Sequence, residues 1–549
     1  MWWPINHPLI RKNYLSMTQT ISPEAAKREI HGAKECALLD IREHGLYGEG
    51  HPFLSVHCPY SDFEQTVVAL VPNRQVSVIL MDDGDGISER AADLLMQMGY
   101  RQVSILKGGA PAWAAAGYTL YKGVNLPSKT LGELIEHHDH PQIISPATLH
   151  QWQSPATLHQ WQTEGRPLHF FDCRPPNEYD KMTIPGARCV PNGELAHRLA
   201  AVVTNDSDPI VVTCAGRTRG LIGASGLQRL KLNNPIYAVE NGTQGWALSG
   251  FTLNRGNGRP EMPALSQSAL ETSRQRADAL IAAEKLVCID VAAFQELARD
   301  QDRTLYLVDV RSLTEFKAGH LPHAVHAWSG QIAQAADLTI GVRRARVVLS
   351  DDTGMRAAIA AIWLRALNYE VYIIRETNSG ALPSDWRENA PARSPVDLLK
   401  QIPVSSAIAQ ISGGGARVID IRNSQAFRRA HIPGALWANR ARLGAIPNDC
   451  PLILCADDAV AAAYLARDLR SRGVTINGLL EGGLAAWQSA GQPIAVSPDH
   501  PADGECIDFL FFVHDRHDGN LDSARRYLEW ETGLIAQLDP EEQQSFRLA

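Results

Sequence analysis

Residues 210–220 read Ile-Val-Val-Thr-Cys-Ala-Gly-Arg-Thr-Arg-Gly, and this stretch says most about the fold. A β-branched run ends on Cys214, a short loop of glycine and arginine follows, and helical periodicity begins at once. A strand that leads directly into a helix is typical of a parallel α/β sheet, whose ligands bind beyond the carboxyl ends of the strands. We therefore place a candidate site at Cys214, where loop N–H groups and a helix N-terminus would surround a thiolate.

The surroundings of this stretch recur four times along the 549 residues. Each copy has a strand that ends in Asp-x-Arg and a tryptophan that follows 67 to 77 residues later. The aspartates are Asp40, Asp172, Asp309 and Asp420, and the tryptophans are Trp113, Trp246, Trp386 and Trp487. Repeats of this regularity predict four structural units of one kind.

Within each repeat, short β-branched runs alternate with runs of helical period, which predicts a parallel sheet covered by helices on both faces. The predicted domains are residues 17–121, 144–256, 284–390 and 398–498, with a helical segment over 503–549. The polar residues 122–143 are predicted to be a linker. The nonapeptide 145–153 is repeated at once, so that residues 145–162 hold two copies, and we assign this duplication no function.

Composition excludes several classes of protein. With a net charge of -8 and no long run of lysine and arginine, the chain is not expected to bind nucleic acid. No stretch approaches 18 uninterrupted apolar residues, so no membrane span is expected. Nine cysteines without CxxC pairs fit neither a disulfide framework nor a zinc site, which favours a reducing cytoplasm. We find no metal, nucleotide or flavin signature and predict no cofactor.

The repeated residues resemble the rhodanese homology domain over roughly residues 20–500. Its pattern is D-x-R-x-x-x-E-[FY]-x-x-G-H, then a strand that ends in the active cysteine, then a Gly-Gly…Ala-Trp close. The third repeat matches the first part best, with Asp309, Arg311, Glu315, Phe316, Gly319 and His320. The resemblance implies a five-stranded parallel sheet flanked by helices in every repeat. It also implies ping-pong transfer of sulfur, through a cysteine persulfide, from a small anionic donor such as thiosulfate to cyanide or a thiol.

Only the second repeat is expected to be active. Its aspartate lies 42 residues before Cys214, and the same spacing leads to Asp82 in the first repeat and Asp351 in the third. A carboxylate cannot hold a persulfide. The fourth repeat has Cys455 at a spacing of 35, but the acidic pair Asp457-Asp458 would raise the pKa of the thiol and repel anions. We keep Cys455 as a second candidate site that we expect to be silent. The second repeat alone combines the cysteine with loop arginines.

Cys214 is the predicted nucleophile. A free thiol has a pKa of about 8.5, and we expect loop amides, the helix dipole and two arginines to lower it by about two units. The same donors would bind the oxygens of an anionic donor. Arg174 has a structural alternative, an ion pair with Glu178 or Asp172. The predicted substrate-binding residues are Ala215, Gly216, Arg217, Thr218, Arg219, Gly220 and Arg174.

Two other functions stay open at this point. Related folds serve cysteine-dependent phosphatases and arsenate reductases, but a phosphate-sized loop is Cys-x5-Arg, and Cys214 to Arg219 is Cys-x4-Arg. Alternatively, the array is a non-catalytic scaffold or sensor. The Cys-Gly-Ser-Gly loop that tends to mark 3-mercaptopyruvate enzymes is absent, which favours an inorganic anion as donor. The physiological acceptor is not predicted, and a homodimer stays open.

Overall fold

The computed structural model describes residues 19–154, 157, 168–378, 380, 382, 386 and 396–548. These residues form four five-stranded sheets, and the strand pairs within them are parallel. Every sheet has the same order, in which the first strand lies beside the fifth, followed by the fourth, second and third. Helices flank each sheet. The predicted fold is confirmed in all four repeats.

The first two domains contain strands β1 to β10. The first domain has β1 (Gln19–Ile21), β2 (Cys36–Asp40), β3 (Val56–His57), β4 (Ser77–Met81) and β5 (Gln102–Leu106), with α1 (Pro23–His31), α2 (His44–Glu49), α3 (Phe63–Leu70), α4 (Ile87–Gln97) and α5 (Gly109–Ala115). Helix α6 (Leu126–Asp139) leads to the second domain. This has β6 (Gln142–Ile144), β7 (His169–Asp172), β8 (Arg188–Cys189), β9 (Ile210–Thr213) and β10 (Ile236–Val239), with α7 (Pro146–Trp152), α8 (Pro176–Lys181), α9 (Glu194–Val202), α10 (Thr218–Gln228) and α11 (Gly242–Leu248).

The last two domains contain strands β11 to β20. The third has β11 (Val287–Cys288), β12 (Leu305–Asp309), β13 (Val325–His326), β14 (Arg346–Ser350) and β15 (Glu370–Ile374), with α12 (Gln267–Ala283), α13 (Val291–Arg299), α14 (Leu313–Ala318), α15 (Ser329–Gln334) and α16 (Met355–Ala366). The fourth has β16 (Gln401–Ile402), β17 (Arg417–Asp420), β18 (Leu436–Trp437), β19 (Leu452–Cys455) and β20 (Ile476–Leu480), with α17 (Val404–Ser412), α18 (Ser424–Arg429), α19 (Ala459–Arg470) and α20 (Gly483–Ser489). The tail has α21 (Leu521–Thr532), α22 (Leu534–Gln537) and α23 (Pro540–Gln543). Four short 3₁₀ turns are Tyr60–Asp62, Ala336–Leu338, Arg440–Ala445 and Asp503–Glu505.

The central strands are buried on both faces, which explains their continuous apolar sequences. All four residues of β9 are buried, as are those of β19. One apolar cluster joins buried side chains of the first three domains, whereas the fourth sheet has a separate cluster on each face. In the part of the chain that the structure describes, no helix is long and apolar enough to cross a bilayer.

Residues 122–143, predicted as a polar linker, run between the first two domains and are largely helical. Helix α6 occupies most of this segment and packs on α10, where the two backbones approach closely. A Cβ on Gly132 would lie 2.9 Å from the Cα of Thr218. Glu133 and Glu136 of α6 pair with Arg217 in the loop after β9, and Lys129 pairs with Glu531 of the tail, whereas His137 and His138 are exposed. Of the duplicated nonapeptide, the first copy forms α7, and most of the second lies outside the described residues.

Domains two and three pack through equivalent elements. The Arg219 guanidinium of the second domain donates to Gln331 Oε1 of the third at 3.2 Å. Reciprocally, the Arg356 guanidinium of the third donates to Glu194 Oε1 of the second at 3.0 Å. Because each arginine follows the central strand of its domain and each acceptor begins the equivalent helix of the other, the contact has approximate two-fold symmetry.

The tail contacts all four domains. Ile507 O accepts from Gly45 N in the first domain, and the Asp508 carboxylate accepts from Ser424 N in the fourth. Farther along, Glu531 accepts from the Thr218 hydroxyl in the second domain at 2.7 Å, and Arg547 N donates to Ala366 O in the third. The predicted helical segment is confirmed, and it joins the domains together.

Candidate active site

Cys214 lies directly after β9, at the carboxyl edge of the sheet. Its carbonyl accepts from Thr243 N at 2.8 Å, and Ala215 O accepts from Gln244 N at 3.1 Å, so the start of α11 holds the loop. This close approach requires glycine at position 242, where φ is +52° and a Cβ would lie 2.2 Å from Cys214 O. The backbone around the cysteine is therefore fixed by the strand on one side and α11 on the other.

The Cys214 thiol is 2 % exposed and accepts a hydrogen bond from Gly220 N at 3.3 Å. Burial raises its pKa above the ordinary value, although the Arg219 guanidinium and the N–H groups of Gly220 and Gly216 act in the opposite direction. The expectation that the pKa of Cys214 lies two units below that of a free thiol is thus wrong. The donors that we expected at the thiol are present, but desolvation outweighs them.

Arg217 is held by carboxylates of α6. Its Nε donates to Glu133 Oε1 at 2.8 Å, and Nη2 donates to Glu133 Oε2 at 2.9 Å and to Glu136. Nη1 donates to Asn241 Oδ1 at 3.3 Å. Burial raises the pKa of Glu133 to about 7 despite this ion pair. The positive charge of Arg217 is therefore largely neutralised before any substrate arrives.

Arg219 forms a bidentate pair with Glu178, with distances of 2.6 and 2.7 Å, in addition to its bond with Gln331. Burial alone would raise the pKa of Glu178, but Arg219 lowers it to about 2. Both loop arginines thus form ion pairs with carboxylates of the protein. Arg219 still lies close enough to act on the pKa of Cys214.

A cavity of about 230 Å³ opens above Cys214. The predicted residues Ala215, Gly216, Arg217, Thr218 and Arg219 line it, while Gly220 contacts the thiol from below. The wall also includes Glu178 and Gln244 of the second domain, Gly123 and Lys129 beside and on α6, Gln331 and Gln334 of the third domain, and the tail residues Phe512, Arg516, His517, Tyr527 and Trp530. Sequence reasoning missed the residues outside the second domain. The amphipathic pattern of 521–538 indicates a docked helix but not the surface on which it docks.

Arg174 is corrected from a substrate-binding residue to a structural one. It is 1 % exposed, and its guanidinium donates to both Asp172 carboxylate oxygens and to Met182 O, outside the cavity. Equivalent arginines make the same bonds in the other domains, Arg42 to Gly50 O, Arg311 to Gly319 O and Arg422 to Ala430 O. The Asp-x-Arg motif therefore fastens the end of the second strand to the loop ahead of the third, and the partner of Arg174 is Asp172 rather than Glu178.

The loop of the third domain contains its own anion. Asp351 lies where Cys214 lies in the second domain, and its carboxylate accepts from Arg356 N at 2.8 Å and from Arg356 Nε at 2.9 Å. Arg356 also pairs with Glu315 at 2.8 Å, as Arg219 pairs with Glu178. The second repeat is therefore not alone in carrying a loop arginine, although it alone combines one with the cysteine. In the third repeat, Arg356 lies at the position of Arg219, and the carboxylate of Asp351 lies at the position of the Cys214 thiol.

The other two loops lack an equivalent arginine. In the first domain, the Asp82 carboxylate accepts from Gly84 N at 2.8 Å and Ser88 N at 2.9 Å. In the fourth, Cys455 is fully buried, and burial together with Asp420 raises its pKa to about 12. These positions agree with our expectation that Cys455 is silent, which stays a prediction.

Four sheets of one topology define the class of protein, together with a central strand in the second that ends in a cysteine and leads through a short loop into a helix. The family described as Rhodanese-like domain matches residues 22–116, 154–249, 290–377 and 404–490, and the chain belongs to this family. Nearly the whole molecule is similar to the crystal structure of thiosulfate sulfurtransferase from Pseudomonas aeruginosa. The TM-score is 0.82 at 30% identity, over 96% of this chain and 99% of that one.

A shorter curated relative is the "Uncharacterized protein YibN" of Escherichia coli strain K12. It is 25% identical over 113 residues, which are 20% of this chain and 78% of the relative. The match is about the length of one repeat. Family membership and the structural neighbour together support a sulfurtransferase-type fold for this chain.

Proposed function

We propose that the protein is a thiosulfate sulfurtransferase that works through Cys214. The observation that carries this proposal is the enclosed cavity above Cys214, where a nucleophilic sulfur, main-chain N–H donors and a guanidinium meet. The small volume of about 230 Å³ suits an inorganic anion or a small thiol. The donor, the acceptor and a reducing cytoplasm as the location are parts of this proposal.

The reaction has two half-reactions. The Cys214 thiolate attacks the outer sulfur of thiosulfate, a new S–S bond forms, and the S–S bond of thiosulfate breaks, so that sulfite leaves with the bonding electron pair. Cyanide or a thiolate then attacks the outer sulfur of the persulfide, and the electron pair returns to Cys214. The N–H groups of Gly216 and Gly220 and the nearby Arg219 would stabilise the negative sulfur in both states.

Phosphatase chemistry is less well supported. A phosphate ester needs a guanidinium that grips its oxygens, whereas the Arg219 nitrogens are occupied by Glu178 and Gln331. A purely structural array is also less well supported, because the cavity leads to the cysteine of the second domain rather than being filled as in the third.

The experiment measures thiocyanate formation from thiosulfate and cyanide. Cys214→Ser should abolish it, and the matched variant Cys455→Ser should not. Mass spectrometry of the thiosulfate-treated protein should find one added sulfur atom on the Cys214 peptide. Loss of activity in Cys455→Ser instead would contradict the assignment. Turnover of p-nitrophenyl phosphate without sulfur transfer would favour the phosphatase.

A further inference from the structure

Four cationic side chains line the Cys214 cavity, and three of them are paired with carboxylates. Lys129 lies 3.3 Å from Glu531, and the loop arginines are bound by carboxylates of α6 and by Glu178. Arg516, from the tail, differs. Among the described residues it has no ion pair; its guanidinium lies 4.4 Å from the centre of the Tyr527 ring and makes one long bond to Val513 O. Among the four cations of the cavity wall, Arg516 is therefore the one whose charge no carboxylate of the described residues neutralises.

The polar atoms next to Arg516 also lack partners. Arg516 Nε and His517 Nδ1 are buried without a hydrogen bond. Both residues line the cavity. Buried polar atoms are nearly always paired in folded proteins, and an unpaired group of them in one cavity is expected where a ligand supplies the missing bonds. Burial lowers the pKa of His517 to about 3, so its imidazole is neutral and adds no charge.

We propose that Arg516 and His517 form an oxyanion subsite of the Cys214 cavity, which binds the sulfonate group of a small sulfur donor of the thiosulfate class. This inference rests on the proposed function and moves the main electrostatic contact with the donor from the loop arginines to the tail. As the S–S bond of the donor breaks, the departing sulfite gains charge, and the unpaired guanidinium neutralises that charge.

The size of the cavity selects among sulfur donors. A cavity of about 230 Å³ has room for a small donor such as thiosulfate. Because Phe512 and Trp530 of the tail form part of its wall, a bulky donor such as a protein-bound persulfide is expected to fit less well.

The test compares two substitutions in the same segment. Arg516→Gln removes the unpaired charge, whereas the control Arg525→Gln removes an arginine that is largely exposed and paired with Asp522. In the thiosulfate–cyanide assay, Arg516→Gln should raise the KM for thiosulfate at least about tenfold and change kcat less. Arg516→Lys keeps the charge but loses the planar guanidinium that can bind two oxygens at once. Its KM for thiosulfate should lie between those of Arg516→Gln and the wild type. Arg525→Gln should match the wild type.

A binding measurement separates this inference from the proposed function. Calorimetry with thiosulfate uses the Cys214→Ser protein, which cannot turn over, with and without Arg516→Gln. If the loss of Arg516 weakens thiosulfate binding at least about tenfold, the subsite is supported. This holds even if the wild type forms no thiocyanate, a result that would overturn only the proposed function. A wild-type enzyme that transfers sulfur, together with an unchanged KM in both Arg516 variants, would overturn the subsite and leave the proposed function standing.

Discussion

Asp351 shows at the residue scale what the second domain keeps free. In the third domain a carboxylate on the chain permanently fills the anion position and pairs with Arg356, which is fully buried. In the second domain a thiol stands there instead, with a cavity above it. The loops after β9 and β14 thus both lead from a central strand into a helix and have an equivalent arginine. They differ in the residue at the strand end, which is a cysteine below a cavity in one and an aspartate in a buried ion pair in the other.

We expect Asp351→Asn to destabilise the protein. The substitution keeps the shape but leaves Arg356 with one buried counter-charge fewer, and loss of one member of a buried ion network costs about 3–5 kcal/mol. The comparison is Asp82→Asn, whose carboxylate accepts only main-chain N–H bonds in the first domain, at a cost of about 1–3 kcal/mol. Urea unfolding measures both. Equal losses would contradict the view that Asp351 acts as the counter-ion of Arg356.

The sequence is sufficient to locate Cys214 and its loop but not the state of the loop arginines. A strand, a glycine-containing loop and a helix are local features, and the pattern of the eleven residues 210–220 specifies them. The carboxylates that neutralise Arg217 lie on a helix some eighty residues earlier, so no local pattern could reveal the pair. The elevated pKa of Cys214 has the same origin, because its burial comes from segments remote in sequence.

Helix α6 is the element that connects the first domain with the active loop. Its sequence is polar because Lys129, Glu133 and Glu136 face charged partners at the cavity, and this composition is what suggested a linker. A polar segment is usually exposed because burial of an unpaired polar group is costly. Ion pairs reduce this cost in α6, so its polar composition does not reveal that much of the helix is buried.

Gly132→Ala should impair activity through this element. A Cβ at this position would meet the backbone of Thr218 at 2.9 Å, so α6 must move away from α10 and carry Lys129 and Glu133 with it. Because small displacements of positioned groups reduce rates steeply, we expect kcat/KM to fall about tenfold or more, with about 1–3 kcal/mol of lost stability.

The matched control for Gly132→Ala is Gly226→Ala in α10. Its Cβ would lie 3.5 Å from Ile359 Cδ1, an ordinary contact, and both substitutions favour the helix by up to about 1 kcal/mol. Gly226→Ala should therefore leave activity unchanged and stability equal or higher. Steady-state kinetics and urea unfolding of the two variants decide the matter. If both alanines behave alike, close packing of α6 on the loop is not what positions the site.

At the scale of the whole molecule, the other three domains help to build or anchor the cavity at Cys214. The third domain supplies Gln331 and Gln334, the first leads into α6, and the tail that roofs the cavity is anchored on the first and fourth domains. The number of domains and their fold follow from the repeats in the sequence. Their mutual arrangement does not, because it depends on surfaces such as the contact of Arg356 with Glu194, whose residues are far apart in the chain.

This arrangement buries histidines, and their titration should make the whole protein sensitive to mild acid. Burial lowers the pKa of His51, His57 and His197 to about 3, against 6.5 for an exposed imidazole. The folded state therefore holds them neutral while the unfolded chain binds protons as the pH falls below 6.5. Stability contributed by the neutral form is complete above pH 6.5 and is lost as the pH falls towards 3.

We expect the melting temperature to fall between pH 7 and pH 5. Carboxyls with raised pKa values, Glu43 and Glu133 at about 7 and Asp337 at about 6, bind protons in the folded state over this range and offset part of the loss. Carboxylates such as Glu178 and Glu315, with pKa values of about 2, contribute below pH 4.5. Each fully buried histidine should cost about 2 kcal/mol by pH 5, since a shift of one pKa unit is worth about 1.4 kcal/mol. Thermal unfolding across this range measures the slope, and His51→Gln, which removes one titrating ring, should make it shallower. If His51→Gln leaves the slope unchanged, burial of this imidazole does not contribute to the pH dependence of stability.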